Sequence, residues 1–142
     1  MIKILHIPIY HTTLVMMVDT SIEDWKAFAK LYEDKITEDD NMCVIRDIES
    51  SEWDGGTISL DKGDYLFWVR NKNMKGNIAH EIFHAANKIL CSRGVTHDDV
   101  GEAWAYLIGY ITDEFYLMLY GENENVFMLE EETEQKEIAD TY

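Results

Sequence analysis

Basic residues are what this sequence has least of for its size. Twelve Lys and Arg stand against 28 Asp and Glu, a formal net charge of −16. A nucleic-acid-binding surface needs a basic footprint, and anionic membrane surfaces attract Lys and Arg, so neither partner is expected. Cysteine is nearly as scarce. Cys43 and Cys91 are too few for a disulfide framework and read as two reduced thiols, which points to the cytoplasm. No apolar run approaches the ~18 residues of a membrane span. The apolar start "MIKILHIPIYHTTLVMMVD" is interrupted by His6, Pro8 and His11 and is followed by no small-residue cleavage site, so a signal peptide is not expected.

What is present suffices for one hydrophobic core. A chain of 142 residues, 46% hydrophobic and 12% aromatic, suits a single domain and excludes wholesale disorder. The acidic excess favours basic substrates or partners.

Residues 2–18 carry β-branched and aromatic side chains around Pro8, as two strands or one interrupted strand would. Asp19-Thr20-Ser21 offers cap chemistry before Ile22, Trp25, Phe28, Ala29 and Tyr32, which fall at helical spacing. "MCVIRDI" reads as a third strand. "TISL" and "DYLFWVR" flank Asp61-Lys62-Gly63-Asp64, predicting a hairpin over 57–70. Two long helices are predicted at 76–92 and 97–120, broken at Arg93-Gly94. The last 22 residues hold eight acids and Lys136, and read as a solvated acidic tail. The expectation is an α+β fold: one domain over 1–120, with an N-terminal twisted sheet and one helix, then two long helices, and a tail over 121–142.

One stretch carries chemistry: "NIAHEIFHAANKIL", residues Asn77 to Leu90. On a helix, His80 and His84 project about 40° apart, one turn up the same face, so both imidazoles can converge on one cation. Glu81 lies to the side, within reach of a water on that cation. Ala79, Ile82, Phe83, Ala86, Ile89 and Leu90 form the opposing apolar stripe. Catalytic zinc usually takes a third protein ligand. Cys91 lies seven residues beyond His84, about 10 Å along the axis, and is better placed as a packed thiol. Glu102 is the stronger candidate. In the second long helix Trp104, Leu107, Ile108, Ile111, Phe115 and Met118 form one apolar stripe, with Asp98, Glu102, Tyr106, Gly109 and Asp113 opposite. The glycine and tyrosine in that polar stripe suggest close approach to another element. Laid antiparallel beside the first helix, the stripe would bring Glu102 to the two histidines.

With "HEIFH" followed 18 positions after His84 by Glu102 in "GEAWAYL", the chain resembles zinc metallopeptidases of the gluzincin type, in particular the short phage- or mobile-element-associated members. The resemblance covers residues 56–116. It implies a zincin-like domain with His80, His84 and Glu102 as zinc ligands and Glu81 as general base. It also implies a strand beside the active-site helix whose edge pairs with an extended substrate, a place "DYLFWVR" occupies in order. The larger members' Asn-Glu-x-x-Ser-Asp signature is absent, and no histidine matches their transition-state stabiliser. His97, Tyr106 or Tyr110 stands in as oxyanion donor, and Asp98 as the group that orients a ligand imidazole. The implied activity is peptide-bond hydrolysis. Two readings compete with it: a catalytically inactive zincin-like regulatory protein that binds a basic partner, and a metal-free core in which the histidines bond Glu102 and Asp98. His6 and His11 read as structural.

Overall fold

The computed structural model describes residues 1–50, 52–96, 101–121 and 126–127. The chain opens with strand β1 (Ile2–Ile7), a 3-10 turn at Pro8–Tyr10, and strand β2 (Thr12–Val18), paired antiparallel from Ile2↔Met17 to Ile7↔Thr12. Pro8 sets the turn's first φ, and His11 closes it in the left-handed region at φ 48°.

Two helices follow where one was expected. Helix α1 (Ile22–Leu31) starts at Ser21, whose Oγ accepts from Asp24 N at 3.1 Å, and buries Trp25, Phe28 and Ala29. Helix α2 (Glu38–Glu49) contains "MCVIRDI", so the predicted strand there is wrong. The reason lies just upstream. Thr37 and Asp40 form a reciprocal capping box, and Val44, Ile45 and Ile48 then turn at helical rather than alternating spacing toward the core. Trp25 Nε1 donates to Asn41 Oδ1 at 2.7 Å, tying the two helices together.

The predicted hairpin is present as β3 (Gly55–Ser59) and β4 (Tyr65–Val69), which pair antiparallel. β4 also runs parallel to β2, from Leu14↔Tyr65 to Val18↔Val69. Helices α3 (Lys75–Ser92) and α4 (Glu102–Tyr120) follow; α3 matches its expected range to within a residue, whereas α4 opens at Glu102 rather than at residue 97, because Gly101 takes the left-handed conformation at φ 62°. A two-residue strand, β5 (Val126–Phe127), then pairs with Ile2 and Lys3. The fold thus reaches past the expected domain end at residue 120, and Phe127 packs edge-on against Phe28, with ring centroids 5.8 Å apart.

The result is an α+β domain built on a mixed sheet of order β3-β4-β2-β1-β5. Strand alternation sorts its side chains. Leu14, Met16, Val18, Tyr65, Phe67 and Val69 face α3 and α4, whereas Val15, Met17, Leu66 and Trp68 face α1 and α2. β4 is buried on both sides along its whole length, as an interior strand between two helical layers must be. Among the described residues, no helix is long and apolar enough to cross a membrane.

Candidate metal centre

Helix α3 packs on β4 and β3 and sets the orientation of the site. It buries Ile78, Glu81, Ile82, Ala85, Ala86, Ile89 and Leu90. Ala79 and Phe83, expected in the apolar stripe, are exposed instead. The buried face is therefore rotated toward Ile78 and Ala85. That rotation carries Glu81 inward, against β3, and leaves His80 and His84 outward.

The two histidines meet. Their Nε2 atoms lie 3.0 Å apart, their ring centroids 4.5 Å apart, and the rings are inclined at 77°. The His80 side chain is 65% exposed, so the pair opens to solvent. Beside it, Glu81 is only 6% exposed. Its Oε1 faces His80 Nε2 at 3.8 Å, and its Oε2 accepts a 2.6 Å hydrogen bond from Thr57 Oγ1 on β3. Gly55, on the same face of β3, leaves room for the Glu81 stem. A Cβ at Gly55 would stand 3.1 Å from Glu81 Cγ and 3.0 Å from the Trp68 carbonyl oxygen.

By spacing and by donor chemistry, the pair fits one zinc ion. Zinc takes imidazole nitrogen at about 2.0–2.1 Å, so two imidazoles on one tetrahedral ion hold their nitrogens about 3.3 Å apart. The observed separation of 3.0 Å is a few tenths of an ångström short of that bite. It equally suits an N–H···N hydrogen bond between neutral rings, so the spacing admits a metal without requiring one. The histidines are exposed and lie against each other rather than bonding Glu102, which counts against the metal-free reading's first partner; its second, Asp98, lies outside the described residues.

The other sequence candidates are placed as follows. Glu102 opens α4, directly after Gly101 in the left-handed region at φ 62°, and is exposed. Trp104 Nε1 donates to Asn87 Oδ1 at 3.3 Å, which sets this first turn of α4 against the turn of α3 that follows His84. Among the described residues, no three His, Cys, Asp or Glu side chains are gathered into a metal-holding group. The polar stripe of α4 faces solvent rather than α3: Tyr106, Gly109 and Asp113 are exposed, and a Cβ at Gly109 would meet nothing within 4 Å. Tyr106 is 77% exposed and, with Tyr110, lines an apolar groove against Pro8, Ile9 and Tyr10. No hydrogen bond joins it to either histidine. His97 and Asp98 lie outside the described residues. Cys91, expected as a packed thiol, is exposed. His6 Nδ1 lies 3.3 Å from Thr13 Oγ1 and His11 caps the turn, both structural.

Two neighbours of Glu81 escaped the sequence reading, Gly55 and Thr57. The available signal was a Gly-Gly pair inside a strand, which marks a close approach by another group. The strand expected to offer its edge, "DYLFWVR", is interior as β4, and the edge beside α3 belongs to β3.

Compared with known proteins, the chain matches no family model, no curated protein and no solved structure.

Proposed function

We propose that this chain is a zinc-dependent metallopeptidase that hydrolyses peptide bonds with Glu81 as general base. The observation that carries the reading is the His80–His84 pair, Nε2 atoms 3.0 Å apart, with a buried carboxylate oxygen 3.8 Å from one of them. His80 and His84 would hold Zn2+, and Glu102 is proposed as third ligand through its place in the first turn of α4. Asp98 is proposed to orient a ligand imidazole, and His97 or Tyr106 to donate to the oxyanion. When bound, zinc supplies Lewis-acid polarisation of the scissile carbonyl and makes a water acidic enough to attack. Glu81 would take a proton from the attacking water and return it to the leaving amine. Burial against β3 limits competing solvent around the carboxylate, and the free edge of β3 beside α3 offers an extended peptide a strand to pair with. A peptide or protein substrate with basic character suits the charge of −16. A cytoplasmic setting suits the two unpaired cysteines.

The test is zinc stoichiometry by native mass spectrometry on the wild-type chain and on His84→Ala and Glu102→Ala. One zinc per chain, lost in both variants, supports the ligand set. Zinc retained in Glu102→Ala moves the third position to Asp98 or His97. No zinc in the wild type after supplementation sinks the reading.

The acidic balance also favours a second reading, a zincin-like regulatory protein that acts by binding a basic partner. The two part at Glu81→Gln: a peptidase loses its effect, whereas a binder keeps it.

A further inference from the structure

We infer that Thr57 is the positioning residue for Glu81, fixing the plane of its carboxylate so that one oxygen is held and the other faces the histidine pair; this rests on the metallopeptidase reading above. The final torsion of a glutamate side chain is soft and roughly two-fold, so burial alone does not orient its carboxylate. Here one oxygen is tied. Thr57 Oγ1 donates to Oε2 at 2.6 Å, while the Glu81 main-chain oxygen, at 3.4 Å from the same hydroxyl, is the weaker acceptor. Oε1 is left facing His80 Nε2 at 3.8 Å. Two residues along the same strand face, Gly55 clears the space through which the Glu81 stem passes. β3 thus contributes an absent side chain and a hydroxyl, and together they seat the carboxylate with one oxygen held and one available. Outer groups of this kind orient the reacting ones and are felt strongly when lost.

The test uses the full chain loaded with cobalt(II) and titrated with acetohydroxamate, followed by visible absorption. A hydroxamate on the metal gives its hydroxyl proton to a correctly placed carboxylate, so its affinity reports where Glu81 points. Thr57→Val is expected to weaken acetohydroxamate about tenfold and Thr57→Ser less than about threefold, with one cobalt per chain in each. Glu81→Gln sets the scale of full loss. Wild-type affinity in Thr57→Val overturns the positioning role while leaving the metal site standing. Thr57→Ser as weak as Thr57→Val, or cobalt lost together with the hydroxamate, assigns Thr57 a merely structural part and also overturns it. If Thr57→Val does not fold, Thr57→Ala is the hydroxyl-free variant. A wild-type chain that takes up no cobalt removes both the inference and the reading beneath it.

Discussion

The indole Nε1 of Trp104 donates to Asn87 Oδ1 at 3.3 Å, one turn of α3 beyond His84. This bond joins the helix that carries the histidines to the first turn of the helix that carries Glu102. Asn87→Ala leaves the indole N–H of the buried Trp104 without this acceptor, and is expected to lower unfolding stability by about 1 kcal/mol. If the first turn of α4 supplies the third ligand, zinc affinity should fall about tenfold as well, as for other outer-shell losses. Thermal melts and a competitive zinc chelator read the two effects separately. A drop in stability with zinc affinity unchanged would detach Glu102 from the site.

Glu81 and His84 make opposite predictions at one centre. In Glu81→Gln the amide oxygen can still accept from Thr57, so the fold and zinc content should be preserved while peptide hydrolysis vanishes. His84→Ala should lose both zinc and turnover, because one imidazole remains where two converged. Zinc stoichiometry measured beside cleavage of a quenched peptide library distinguishes these patterns. Full turnover in Glu81→Gln would remove Glu81 as the base.

How much of this was legible in the sequence depended on whether a feature is local. His80 and His84 share a face because helical period alone puts them there. The hairpin of β3 and β4 was legible from its Gly-containing loop, and α1 from Ser21 and the spacing of Trp25, Phe28 and Ala29. "MCVIRDI" was misread because its β-branched run was weighed without the Thr37–Asp40 capping box upstream, which commits the segment to a helix. Ala79 and Phe83 were misplaced for another reason. Hydrophobicity names a stripe, but the sheet that α3 packs on chooses its centre, and here it selected Ile78 and Ala85. Thr57 and Gly55 reach Glu81 only through packing of an edge strand on a helix, Thr57 and Glu81 lying 24 residues apart; the Gly55-Gly56 pair marks a close approach but does not name the group that makes it. Where Glu102 lies relative to the histidines likewise depends on how α3 and α4 pack.

Gly55 provides a steric test of the seat for Glu81. An added Cβ would stand 3.0 Å from the Trp68 main-chain oxygen, which cannot yield cheaply, and 3.1 Å from Glu81 Cγ, which can. Gly55→Ala is therefore expected to push Glu81 away from β3 and to cost ~1–3 kcal/mol by overpacking. The displacement should weaken the Thr57 hydrogen bond without touching either histidine. A chemical denaturation curve gives the stability change, and zinc content should stay at the wild-type value. A variant as stable as wild type would mean that β3 stands off from α3 in solution.

Lys3 anchors the far end of the same layer. On β1 and only 5% exposed, it donates to Glu114 Oε2 of α4 at 2.8 Å. Breaking a fully buried pair by removing one partner costs ~3–5 kcal/mol, because the remaining charge is stranded. The Glu114 side chain is 25% exposed, so water offsets part of that, and Glu114→Ala is expected to cost ~2–3 kcal/mol. Replacing both, as in Lys3→Met with Glu114→Leu, removes the stranded charge and should recover most of the loss. A double-mutant cycle by urea denaturation measures this directly. The double variant should be more stable than Glu114→Ala, with zinc binding unchanged, since neither residue approaches the histidine pair. If instead the double variant is the less stable, the ion pair contributes net stability beyond relieving a stranded lysine, and β1 is held to α4 chiefly by charge.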